Sequence, residues 1–219
     1  MTPVPGDHLF VVLSRPFVGG DRRHPGVVGE QQSPINLSGA FVVPGLRGEL
    51  EVEWSADRFE VSEGADGWRF VPSGVHAVVL RGHRYRLANL HFHRPSEHWV
   101  DGRPEAAELH AVHVRADDRL HACVVAVFLD LGGERGGGDG GGGAPREVDL
   151  PGLLPDHGGF DRYEGSLTTG EFTENVSWVV MKGVAAVADE RLRAFVRAHA
   201  DRARPVQPLN RRFVLSTGV

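Results

Sequence analysis

The chain has 219 residues, a net charge of −5 at pH 7, 41% hydrophobic and 24% charged residues, and one cysteine. That length and composition suit a single soluble globular domain over residues 1–219, with room for a sizeable core. The acidic balance gives no electrostatic footprint for nucleic acid. Cys123 alone rules out an intrachain disulfide and a cysteine-rich metal site. Between Met1 and Gly20, the apolar run from Leu9 to Leu13 is too short to span a membrane. It also lacks the basic start and cleavage site of a secretory signal, so the expectation is a cytoplasmic protein.

Strand signals then dominate in chain order. Glu49-Leu50-Glu51-Val52-Glu53-Trp54 alternates strictly, and so does Arg58-Phe59-Glu60-Val61. Val75 to Leu80, Tyr85 to His93, Ala106 to Val114 and His121 to Leu131 also read as strands. Cys123 to Leu129 is almost continuously apolar, the pattern of a strand buried on both faces, which leaves Cys123 inert. Gly132 to Gly143 is low-complexity glycine and reads as a flexible loop. It has no Lys-Ser/Thr pair and therefore no phosphate cradle. One helix fits, from about Glu190 to Ala200, capped by Asp189 and with Leu192, Phe195 and Val196 on one face. The fold class is mainly β, with a few short helices and no internal repeat.

The chemistry concentrates in Asn89-Leu90-His91-Phe92-His93 and Ala107-Glu108-Leu109-His110. Alternate side chains of a strand share a face, so His91, His93 and Asn89 point one way, and Leu90 and Phe92 the other. Glu108, His110 and Val112 likewise share a face. If the two strands pair, three imidazoles converge. Three neutral nitrogens and one open position form the ligand set of a catalytic zinc. Spacing alone leaves an ordinary surface H-x-H pair as an equal alternative. Asn89 and Glu108 shift that balance, because a ligating imidazole usually gives its second N–H to such a group. A carboxylate on a buried strand face is also costly without a partner.

With these residues placed, the chain resembles an α-class carbonic anhydrase. Five blocks in family order carry the resemblance, across about residues 30–213. They are Gln32-Ser33-Pro34-Ile35-Asn36; His91-Phe92-His93; Ser96-Glu97-His98 with Ala107 to His113; Ser166-Leu167-Thr168-Thr169 with Thr173 to Trp178; and Arg204-Pro205-Val206-Gln207-Pro208-Leu209-Asn210. The resemblance implies a large, mostly antiparallel twisted sheet of about ten strands, with a few short peripheral helices and zinc at the foot of a conical cleft. It implies reversible hydration of CO2 to bicarbonate and a proton by zinc-bound hydroxide, with His91, His93 and His110 as ligands. Thr168 would accept a hydrogen bond from the hydroxide and donate its own to Glu97. Val112, Val124, Leu167, Val176 and Trp178 match the family's CO2 pocket. Thr169 matches its cleft, Asn89 and Glu108 the groups behind the ligands, and His98 and His113 its structural histidines. The implied partner is the small-molecule substrate, with no nucleic acid and no membrane.

The chain also departs from the family. Ala65-Asp66 stand where a proton-relaying histidine is usual, and an exposed aspartate with a pKa of about 4 relays poorly at neutral pH. Proton export is therefore expected to be slow. Gly170-Glu171 replace a Pro-Pro pair. The expectation is a looser Thr168 loop, which Gly170→Pro with Glu171→Pro would stiffen, raising activity or thermal stability. The N-terminal aromatic cluster is missing before Gln31, and the glycine-rich stretch replaces a segment that usually includes a short helix. These departures leave an alternative, a catalytically weak or silent carbonic-anhydrase-like zinc-binding protein. Three histidines together with Thr168 and Glu97 argue against it.

Overall fold

The computed structural model describes residues 29–115, 117, 121–133, 143–156 and 158–218. The Leu9 to Leu13 run and most of the glycine-rich stretch lie outside the described residues. The strands are β1 (Asn36–Leu37), β2 (Phe41–Val42), β3 (Leu50–Glu53), β4 (Ala56–Gly64), β5 (Gly67–Pro72), β6 (Ala77–Leu80), β7 (His83–His93) and β8 (Trp99–Val100). They continue with β9 (Arg103–Pro104), β10 (Ala107–Arg115), β11 (Ala122–Asp130), β12 (Glu147–Asp149), β13 (Phe160–Gly165), β14 (Val176–Ala186) and β15 (Leu215–Ser216). One α-helix, α1, spans Glu190–His199. No described helix is long and apolar enough to cross a membrane.

Twelve of the strands form one sheet, against the ten or so expected, in the order β12-β4-β5-β7-β10-β11-β14-β13-β15-β2, with β3 joined through β6 to β7. β1, β8 and β9 form a separate small sheet. Pairing is mostly antiparallel, but β11 runs parallel to β14 and β15 parallel to β2. The six strands expected from the sequence are present within a few residues of their expected ends. β14 gives no alternation signal, because Val-Ser-Trp-Val-Val-Met is apolar on both faces and shows no period of two. β13 was hidden by its polarity: Arg162 is buried there and pairs with Glu164 and Glu49.

The sheet separates two apolar layers. One holds Leu90, Phe92, Leu109, Ala111, Cys123 and Val125 and is covered by Leu192, Phe195 and Val196 of α1. Asp189 caps that helix, accepting from Leu192 N at 2.9 Å, and Phe195 meets Trp68 and Phe70 edge-on at 5.4 and 5.2 Å. Burying a ring of this size contributes about 2–3 kcal/mol. The other layer holds Val112, Val124, Ala126, Phe128, Val176 and Trp178. β11 faces both layers, which explains its unbroken apolar run. Burial pushes the Cys123 thiol up to about 12, so it is not a nucleophile.

His113 is fully buried at the bulge where β10 changes register against β7. The Trp54 indole N–H can only donate, so His113 Nε2 accepts at 3.1 Å and Nδ1–H donates to Ala111 O at 2.9 Å. Burial depresses this imidazole from 6.5 to about 4. Between those values the unfolded chain binds a proton that the folded chain does not. Folding stability therefore falls as pH drops from about 6.5 to about 4, by about 3 kcal/mol from this group. Urea unfolding across that range should show a shallower pH dependence in His113→Gln; an unchanged slope would sink the assignment.

Candidate metal centre

β7 and β10 pair so that His110 lies opposite His91 and Glu108 opposite His93. Cross-strand partners on one face lie within side-chain reach. One ring nitrogen from each of His91, His93 and His110 lies within 4.8 Å of the others, and all three side chains are buried. His91 Nδ1 lies 3.3 Å from Asn89 Oδ1, and His110 Nε2 lies 3.0 Å from Glu108 Oε1. Their other nitrogens, His91 Nε2 and His110 Nδ1, remain as lone-pair donors. Both ring nitrogens of His93 are buried without a hydrogen-bond partner. Such orphans are costly unless something else satisfies them, and a cation shared by three imidazoles would take the lone pair of the one that carries no proton. Burial holds His91 and His93 well below 6.5, reinforced at His91 by the positive charge of Arg69. Both therefore stay in the neutral form that ligates.

His98, Glu108 and His110 form a second close cluster, but its lone pairs are already used. Glu108 accepts from Glu97 N at 2.7 Å and His98 N at 2.8 Å, and its Oε1 meets His98 Nδ1 at 2.6 Å and His110 Nε2. His98 Nε2 meets the Tyr163 hydroxyl at 2.7 Å, which in turn lies 2.9 Å from Ser33 Oγ. Burial alone would raise Glu108, but the charges and hydrogen bonds of His98 and His110 hold it well below the carboxylate range. This network braces His110 from behind.

Glu97 contrasts with it. Its Oε1 accepts from Arg204 N at 2.7 Å. Its Oε2 lies 3.5 Å from His93 Nε2 and 3.9 Å from His110 Nδ1, with no partner in hydrogen-bond geometry. Burial pushes Glu97 up to about 7, against the lowering effects of the Thr168 hydroxyl and the Arg204 N–H. Thr168 is buried in the loop between β13 and β14, and Thr169 beside it is half-buried. That loop is closed by Leu167 N donating to Thr173 O at 3.0 Å.

The apolar candidates sit together. Val112 pairs with Val124, and Val124 with Trp178, across three adjacent strands. With Val176 and Leu167 they belong to one cluster, and the Trp178 ring centroid is 4.9 Å from that of His110.

Sequence reasoning missed the polar neighbour of the imidazoles. Phe70 of β5 pairs with Leu90, which sets Arg69 beside His91. Arg69 Nη1 bonds Asp201 Oδ2 at 3.1 Å, and the Asp201 backbone bridges to His93. A side chain at Gly67, whose φ is +93°, would run into the Asp201 carboxylate at 1.9 Å. The alternation Gly-Trp-Arg-Phe-Val was the available signal.

A mainly-β sheet protein with three imidazoles converging on a buried point, backed by Asn89 and Glu108, is the class defined by this fold and site. A family model described as eukaryotic-type carbonic anhydrase matches residues 21–134 and 143–218. A carbonic anhydrase from Neisseria gonorrhoeae is 31% identical over 199 residues, covering 85% of this chain and 77% of that one. Alpha carbonic anhydrase 7 from Arabidopsis thaliana is 33% identical, covering 85% and 74%. The solved α-carbonic anhydrase of Thermovibrio ammonificans, in complex with the inhibitor sulfanilamide, is 32% identical with a TM-score of 0.70, covering 85% and 87%. The chain belongs to the eukaryotic-type, or α, carbonic anhydrase family.

One expectation is overturned. Gly170 has φ +66°, a conformation that proline, fixed near −65°, does not reach. Gly170→Pro should therefore destabilise the chain by about 2 kcal/mol and lower its Tm by about 5 °C instead of raising it. Calorimetry of Gly170→Pro and Glu171→Pro made separately is the check, with the loss expected in the first variant; an increased Tm there would show that the loop tolerates another backbone path.

Proposed function

We propose that this chain catalyses the reversible hydration of CO2 to bicarbonate and a proton, using zinc held by His91, His93 and His110. The observation that carries this reading is the convergence of three buried ring nitrogens within 4.8 Å, two of whose imidazoles are oriented by Asn89 and Glu108. Three such donors leave one tetrahedral position for a reactant. When bound, zinc supplies a Lewis-acid centre that lets a water ionise near neutral pH, an effect for which carbonic anhydrases are themselves the standard example.

The chain's own residues do the rest. Val112, Val124, Leu167, Val176 and Trp178 offer a dry apolar wall, which suits a small nonpolar substrate and keeps bulk water away from it. Thr168 donates its hydroxyl proton to Glu97, which leaves its oxygen able only to accept. It therefore orients an attacking group that carries a proton and rejects one that does not. When ionised, Glu97 has no proton to donate, which fixes the direction of that hydrogen bond. A cation at the neighbouring imidazoles favours its ionised form and opposes the upward push of burial.

Proton export is the weak step in this reading. The β4–β5 turn carries Ala65-Asp66 between Gly64 and Gly67; Ala65 takes the place where the resemblance aligns an imidazole, and the Asp66 carboxylate beside it is a poor substitute. Stopped-flow CO2 hydration on protein of known zinc content tests both parts. Activity should vanish in His91→Ala, and kcat should rise several-fold in concentrated imidazole. No activity with about one zinc per chain would favour the silent zinc-binding alternative, and a kcat indifferent to imidazole would refute slow export.

A further inference from the structure

We infer that Phe172 and Arg204 form a clamp that holds the Thr168 loop in register with Glu97, making both positioning residues for the reaction proposed above, on which the inference rests. Phe172 has φ +55°, in the left-handed region where bulky residues are rarely found. Such a backbone persists only where its surroundings over-determine it. Gly170, two residues earlier, is also left-handed at +66°, so the loop reverses without any proline to stiffen it.

The restraint on Phe172 comes from three directions. Its N–H donates to Thr169 O at 3.4 Å, and its carbonyl accepts from Gln32 Nε2 at 3.2 Å. The Arg204 guanidinium carbon stands over its ring, 3.8 Å from the centroid. Arg204 is fixed in turn, because its Nη1 donates to Gln32 Oε1 at 3.0 Å and to Ser33 O at 2.6 Å. Gln32 also reaches Glu174 Oε1 at 2.8 Å, so the loop is tied on both sides of Thr173. Thr173 O is the acceptor for Leu167 N, next to Thr168.

The other end of Arg204 matters equally. Its backbone N–H donates to Glu97 Oε1 at 2.7 Å. One residue thus grips the ring of the loop through its side chain and the carboxylate behind Thr168 through its main chain. A stacked guanidinium needs both its own plane and an aromatic face. Leucine at 172 keeps the volume and loses the face; lysine at 204 keeps the charge and loses the plane.

The test uses the full chain with its zinc content determined, in wild type, Phe172→Leu, Phe172→Tyr and Arg204→Lys. Amide hydrogen exchange over residues 166–175 reads the clamp whether or not the protein hydrates CO2. kcat/KM for hydration reads the positioning, and it is insensitive to slow proton export. Phe172→Leu should exchange about tenfold faster in that segment and lose about tenfold in kcat/KM, with zinc content and exchange of β7 and β10 unchanged. Arg204→Lys should do the same by an independent break, and Phe172→Tyr should match wild type on both measures. Wild-type exchange in Phe172→Leu and Arg204→Lys would overturn the clamp. Faster exchange with unchanged kcat/KM would overturn the positioning role. An inactive wild type would overturn the proposed reaction, and with it the positioning, while exchange alone would still decide the clamp.

Discussion

The register of β7 against β10 is the constraint on which the site depends. His110 faces His91, and Glu108 faces His93, because those two strands pair at that offset. A slip of one residue would send His110 to the opposite face, among Leu90, Phe92 and Val125. The slip is opposed from both sides. Leu90, Phe92, Leu109 and Ala111 are buried in one layer, whereas Val112 and its neighbours on β11 and β14 are buried in the other. Moving the register would bury polar groups in both layers at once. The same hydrophobic pattern that folds the sheet therefore assembles the imidazoles.

The two buried glutamates beside these imidazoles show how environment divides identical side chains. Glu108 accepts from two backbone N–H groups and contacts two imidazoles, and it is held far below the usual range. Glu97 keeps one oxygen satisfied by Arg204 N and the other without a partner, and burial carries it up to about 7. Their burial is nearly equal, at 0% and 1% exposed, so the neighbours decide the difference: the charges and hydrogen bonds of His98 and His110 act chiefly on Glu108. The first is a fixed brace. The second is responsive to whatever charge sits between His93 and His110.

This division was partly legible in the sequence. The period-two pattern around His91 and Glu108 foretold which side chains share a face, because both strands are long and their faces differ in polarity. Asp189 foretold the cap of α1 for a similarly local reason. Residues brought in from distant segments were not legible by periodicity. Alternation on β5 can place Arg69 on a strand face but not beside His91, and Asp201 follows the helix, yet they meet beside His91 and His93. Phe172 and Arg204 are likewise far apart in sequence, and neither alone signals a contact. The misjudged Gly170 shows the same limit. Its residue type said that the loop was loose, but only the backbone angle shows that a positive φ is required there.

Charge balance links these separately found groups. Around the three imidazoles stand Glu97, Glu108 and the Arg69–Asp201 pair. The pair is close to neutral as a unit. The two glutamates, when ionised, leave two negative charges in a region where unpaired buried charge is expensive. Without a cation, the cheaper response is for one of them to take up a proton, and Glu97, with the fewer donors, is the one pushed towards neutrality. A monovalent cation would leave one charge uncompensated. A divalent cation at the imidazoles would offset both and would favour the ionised form of Glu97, the form that accepts from Thr168 in the proposed reaction. The two buried carboxylates beside the imidazoles are thus in keeping with the proposed zinc, and the same groups that orient the donors also set the charge such an ion would meet.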